Sequence, residues 1–109
     1  PRAVNFLSRA KSDVAKIQIE SFATALDLFQ LDVGRYPASQ EGLGALIAAP
    51  SDAARWNGPY VRADDIPLDP WQRPYRYEAP GENGKPYRLL SLGADGQPGG
   101  EDEDADISN

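Results

Sequence analysis

The sequence predicts an α+β domain in which one long N-terminal helix packs on a small antiparallel β-sheet. Three observations carry this prediction. Between Pro1 and Val33 there is no internal Pro or Gly, and apolar residues recur at helical spacing. Two short stretches, 75–78 and 87–92, have strand character and flank an Asn-Gly turn signal. The chain is 109 residues long with 40 % hydrophobic residues, which suits a single small domain and exceeds a disordered composition.

The helix is expected over residues 1–33. Pro1 is tolerated at a helix start and Gly34 stands where a left-handed cap belongs. Val4, Leu7, Ala10, Val14 and Ile17 form an apolar series in the first half. Phe22, Leu26, Phe29 and Val33 form a stronger one in the second. Residues 8–16 are mostly polar, so the core is expected under the second half only. At 1.5 Å per residue the rod is roughly 50 Å long, and its first half should project. Arg35-Tyr36-Pro37 then turns the chain. Ser39 as N-cap and Glu41 in the first turn predict a short helix over 39–49, with Leu43, Leu46 and Ile47 facing the core and Pro50 ending it. Residues 51–74 read as loops punctuated by Asn57-Gly58-Pro59 and Asp69-Pro70. Residues 75–92 read as a β-hairpin region around Gly81-Glu82-Asn83-Gly84. No periodicity remains over 93–109, which is expected to be irregular.

Composition removes several function classes. The chain has no Cys, His or Met, so thiol nucleophiles, histidine bases, disulfides and His/Cys zinc sites are excluded. The longest apolar run, Ala45-Leu46-Ile47-Ala48-Ala49, falls far short of the roughly 20 residues that span a bilayer. Asp95, Glu101, Asp102, Glu103, Asp104 and Asp106 account for the whole net charge of −6, because the remaining acids balance the Lys and Arg residues. Nucleic acid is excluded as a partner, since phosphate binding needs a basic face.

That acidic segment is the most informative stretch. By composition it reads either as a solvated tail or as a Ca²⁺ loop, because clustered oxygen donors on a glycine-rich backbone suit that ion. Asp95 precedes a turn that could fold Asp104 and Asp106 back toward it. The spacing of Asp102, Asp104 and Asp106 matches the start of an EF-hand loop, but the required Gly and distal Glu are missing. Asp64, Asp65 and Asp69 offer carboxylates for acid–base chemistry, yet around Pro67 they read as turn formers, and no enzyme is predicted. Trp56, Tyr60 and Trp71 are expected to pack beneath loops rather than stack on sugars. Arg9, Lys11 and Lys16 are expected on a solvated helix face.

Seven segments stand in a specific order: Ala25-Leu26-Asp27-Leu28, Leu31-Asp32-Val33-Gly34-Arg35-Tyr36-Pro37, Gln40-Glu41-Gly42-Leu43, Trp56-Asn57-Gly58-Pro59-Tyr60, Asp69-Pro70-Trp71-Gln72-Arg73-Pro74-Tyr75, Ser91-Leu92-Gly93-Ala94-Asp95-Gly96 and Asp104-Ala105-Asp106-Ile107. Taken together they resemble the major pseudopilins of the type II secretion system, relatives of type IV pilins. The resemblance implies a type IV pilin-like fold with no catalytic site. It implies a subunit that polymerises with its own kind into a periplasmic filament driving export of folded proteins. Minor pseudopilins and an inner-membrane assembly platform are the implied partners, and a preceding apolar helix is the implied membrane anchor, so the chain reads as the soluble part of a longer protein. It further implies Ca²⁺ held by Leu92, Asp95, Asp104, Asp106 and Ser108, which favours the ion over the solvated tail. Two positions depart from the family pattern. Gln72 stands where Gly is usual, which predicts a reshaped turn, and the chain ends at Ser108-Asn109 where the pattern continues. The alternatives are a type IV pilin or minor pseudopilin, disfavoured by the absence of Cys, and a calcium-dependent carbohydrate-binding module.

Overall fold

The computed structural model describes residues 2–100 and 105–109. Helix α1 spans Arg2–Val33, and its 32 residues set the long dimension of 52 Å. It ends at Gly34, which adopts φ 94° and donates its N–H to the Gln30 carbonyl at 2.8 Å. A side chain is disfavoured at that φ, so Gly stops the helix at little cost.

One face of α1 is buried through Ala15, Ile19, Phe22, Ala25, Leu26 and Phe29. The core therefore begins at Ala15, earlier than the polar composition of residues 8–16 suggests. The apolar series expected in the first half does not carry it: Leu7, Val14 and Ile17 are 60 %, 46 % and 65 % exposed. Residues two apart on a helix point about 200° from each other. Ile17 and Ile19 thus belong to different faces, and only the face of Ile19 meets the rest of the domain.

Strands β1 (Arg76–Glu78), β2 (Arg88–Ser91) and β3 (Ile107–Ser108) form an antiparallel sheet in the order β1-β2-β3. The registers Tyr77↔Leu89 and Ser91↔Ile107 fix the pairing. The β1–β2 turn is of the mirror type that hairpins favour. Asn83 and Gly84 hold φ 55° and 78°, and Lys85 N–H donates to the Glu82 carbonyl at 3.0 Å. β3 corrects the irregular ending expected after residue 93. It is only two residues long and has no periodicity of its own, so its strand state comes from pairing with β2 and from burying Ile107, 8 % exposed.

The helix expected over 39–49 is instead a 3₁₀ helix, Gly42–Leu46. Ser39 does not cap it. Its hydroxyl accepts from Ala79 N–H at 2.8 Å and donates to the Ala79 carbonyl at 3.1 Å, tying this turn to the end of β1. Glu41 is drawn to Arg35, which forks onto both carboxylate oxygens at 2.7 and 3.1 Å, and it also accepts from Ala38 N–H at 2.8 Å. Gly42 at φ 64° breaks α-helical geometry just where the first turn would form.

The long loop packs through its aromatics. Trp56 Nε1–H donates to the Ala45 carbonyl at 2.7 Å and Tyr60 O–H to Asp32 at 2.8 Å, with the two rings edge to face. Trp71 packs against the core, half-buried. Tyr75 stands edge-on to Phe22 and donates to Gln18 of α1. Burial raises its phenol above the usual tyrosine range, with a smaller push from the Asp69 charge.

Candidate functional site

The site sits where β2 ends and β3 begins. Continuing the register one step beyond Ser91↔Ile107 puts Leu92 across from Asp106. Alternation along β3 puts Asp106 and Ser108 on the face opposite the buried Ile107. Asp106 folds back onto the glycine-rich turn, with Oδ2 accepting from Gly99 N–H at 3.0 Å. Its Oδ1 is buried with no hydrogen-bond partner among the described residues. Buried carboxylate oxygens are expensive to leave unsatisfied, so this one marks a place where a cation or donor belongs.

Asp95 is exposed, and its Oδ1 accepts from Gln97 N–H at 3.0 Å, an Asx turn that shapes the loop around it. Ser108 is exposed and pairs in register with Leu90. Asp104, the remaining expected ligand, lies outside the described residues. Register and hydrogen bonding therefore bring Leu92, Asp106 and the 93–100 turn together. Among the described residues, no three Asp or Glu side chains converge into a metal-binding group. The expected donors, carboxylates with a backbone carbonyl and a hydroxyl, are all hard oxygens, and with the unpartnered Asp106 Oδ1 they fit Ca²⁺.

Sequence reasoning missed the base on which this loop is built. Asp69, 2 % exposed, accepts through Oδ1 from Trp71 and Arg73 N–H at 3.0 and 2.9 Å. Its Oδ2 accepts from the hydroxyl of Ser91 at 2.8 Å, and Ser91 in turn accepts from Gly93 N–H at 3.2 Å. Asp69, read from the sequence as a turn former, is thus also a structural hub with both carboxylate oxygens engaged. Arg73 Nη1 reaches over to the carbonyls of Gly93 and Ala94 at 3.1 and 3.3 Å. One signal pointed here: Ser91 is the lone polar residue within Leu89-Leu90-Ser91-Leu92, and a buried hydroxyl needs a partner. Gln72 also departs from expectation. It takes φ 67° itself, with its N–H donating to the Asp69 carbonyl at 2.9 Å, so the left-handed turn exists without Gly.

A long amino-terminal helix laid on a small antiparallel sheet, with a loop closing after the second strand, defines a pilin-like α+β protein. The family described as Type II secretion system (T2SS), protein G matches residues 2–109. The chain is 45 % identical over 113 residues to the type II secretion system core protein G of Pseudomonas aeruginosa, covering 100 % of this chain and 78 % of that protein. It is 37 % identical over 112 residues to the core protein G of Vibrio cholerae, covering 100 % of this chain and 75 % of the relative. The crystal structure of the major pseudopilin from the type 2 secretion system of enterohaemorrhagic Escherichia coli superposes with a TM-score of 0.82 at 29 % identity, covering 100 % of this chain and 90 % of that one. The chain belongs to the type II secretion protein G family.

Proposed function

We propose that this chain is the building block of a periplasmic pseudopilus, polymerising with copies of itself, and that Ca²⁺ braces its C-terminal loop. In this reading a membrane-anchored helix joins the domain to the inner membrane, and minor pseudopilins and an assembly platform are its further partners. The role is structural rather than catalytic. The observation that carries the assembly reading is the second apolar face of α1. Phe6, Leu7, Val14, Ile17, Leu28 and Leu31 are 46–76 % exposed, and none contributes to the domain's own core. A stripe of this kind along one rod marks an interaction surface.

The test uses the full-length protein in secreting cells. Ile17→Lys and Leu31→Lys keep good helix formers at exposed positions, so domain stability should stay within about 0.5 kcal/mol. Filament formation, read by cross-linking and electron microscopy, and export should both fail. Normal filaments from the double variant would refute the assembly reading.

For calcium, the supporting observation is the buried Oδ1 of Asp106, which has no hydrogen-bond partner among the described residues, beside an all-oxygen donor set. Leu92 through its carbonyl, Asp95, Asp106, Ser108 and Asp104 are the proposed ligands. When bound, the ion neutralises the acidic segment and cross-links a loop that has little apolar area of its own.

A further inference from the structure

We propose that Arg73 is a positioning residue for calcium: its guanidinium holds the 93–96 turn in the shape that presents Asp95 to the ion. The inference rests on the calcium reading above and adds to it a residue that binds no metal. Gly93 and Gly96 hold φ 77° and 67°, so the turn has two left-handed residues, and Asp95 between them is exposed. Such a turn has no core of its own. What holds it is Arg73 Nη1, donating to the Gly93 and Ala94 carbonyls at 3.1 and 3.3 Å, together with Gly93 N–H on Ser91 Oγ at 3.2 Å.

Arg73 is itself fixed at its base. Its N–H donates to Asp69 Oδ1 at 2.9 Å, and its carbonyl accepts from Asp69 N–H at 2.8 Å. The turn is shaped to receive the guanidinium, because a Cβ on Gly96 would lie 2.7 Å from Arg73 Cζ and Nε. Gly96 therefore does two things: it holds the left-handed φ, and it leaves the space the guanidinium occupies, from which a Cβ would push that group away. A rigid support of this kind reduces what the ion must order on binding, in the way that residues behind metal ligands raise affinity.

The sign of the effect separates this role from simple electrostatics. A cationic group near a divalent cation repels it, so charge alone predicts that removing Arg73 tightens binding. Positioning predicts the opposite.

Calorimetric titration of the protein with Ca²⁺ alone, at about 0.15 M salt, should show Arg73→Met weakening binding roughly tenfold, the lower end of effects seen behind metal ligands. Hydrogen exchange in chelator should show faster exchange at residues 93–96 in the same variant, a readout independent of metal. Gly96→Ala should weaken binding comparably by displacing the guanidinium. The double variant should be little worse than Gly96→Ala alone, because that substitution already removes the guanidinium's support as well as straining the turn. Wild-type affinity or tighter binding in Arg73→Met overturns the inference while leaving the calcium reading intact. Absence of calcium binding in the unaltered protein overturns both.

Discussion

Replacing Asp69 by Asn tests whether the buried carboxylate holds the site together. Asn is nearly isosteric, so its carbonyl can take the place of Oδ1 and keep the Trp71 and Arg73 N–H groups, now at 3.0 and 2.9 Å. Its amide then replaces Oδ2 and turns an N–H donor toward Ser91 Oγ, which currently donates across 2.8 Å. Ser91 already accepts from Gly93 N–H, and it is 0 % exposed. Its hydroxyl proton then loses the acceptor it has now, at a site closed to bulk solvent. An orphaned buried donor costs about 1–3 kcal/mol, and a charge-assisted bond is lost with it. The expected destabilisation is about 2 kcal/mol, equivalent to a fall of roughly 10 °C in Tm for a domain of this size. Ser91→Ala should cost about 1–2 kcal/mol, and the double variant should cost less than the sum by about 1 kcal/mol. Urea unfolding followed by circular dichroism measures all three. Strict additivity, or a change below about 0.5 kcal/mol for Asp69→Asn, would refute the hub.

Other outcomes follow from the same geometry. At Gln72, held at φ 67°, stability should order Gly above Gln above Val, with Val lower than Gln by about 1–2 kcal/mol because a branched side chain clashes there; urea midpoints give the order. Chelation should lower the Tm, since ligand at a hundredfold above Kd stabilises by about 2.7 kcal/mol, and Asp106→Asn should abolish that difference in calorimetry. The Arg35 fork and the Ala38 N–H hold the Glu41 carboxyl below its ordinary range. Glu41 then contributes stability above the ordinary glutamate value near 4.3 and loses it as pH falls through its lower folded value. Unfolding at a series of acidic pH values should show a flatter slope in Glu41→Gln. Ile19→Ala, at 2 % exposure, should cost about 2–4 kcal/mol in urea unfolding, whereas Ile17→Lys two residues earlier changes little.

The legible parts of the fold were those written in local signals. α1 follows from a run without Pro or Gly and from Gly34, features within a few residues of the structure they cause. The hairpin turn follows from Asn83-Gly84 for the same reason. The failures involve distant partners. Ser39 looked like a cap because Ser beside an apolar run usually is one, but its actual partner is Ala79 on the end of β1. β3 exists only through its pairing with β2, so two residues of sequence carry no sign of it. In the site, Asp95 and Asp106 were visible as acids in a glycine-rich segment. The adjacency of Leu92 and Asp106 depends on strand register, and the Asp69–Ser91 bond joins a loop to the end of β2, far apart in sequence. Neither has a short-range signature.

The two faces of α1 explain why the helix is apolar on more than the side its own domain covers. Isolated helices are marginal, and tertiary packing normally supplies their stability. Here the packing residues, Ala15 through Phe29, occupy only part of the rod, and the sheet and the loop aromatics cover only their side of it. The remaining apolar stripe adds nothing to the monomer, and exposed it favours association. A domain needing α1 only for its own core could place polar residues at positions 17, 28 and 31. The retained Ile17, Leu28 and Leu31 are therefore best explained by contacts outside the monomer. The C-terminal loop contributes little to the apolar core, to which Ile107 alone belongs among the described residues after Leu90. Asp69, Ser91 and Arg73 hold that loop by hydrogen bonds instead.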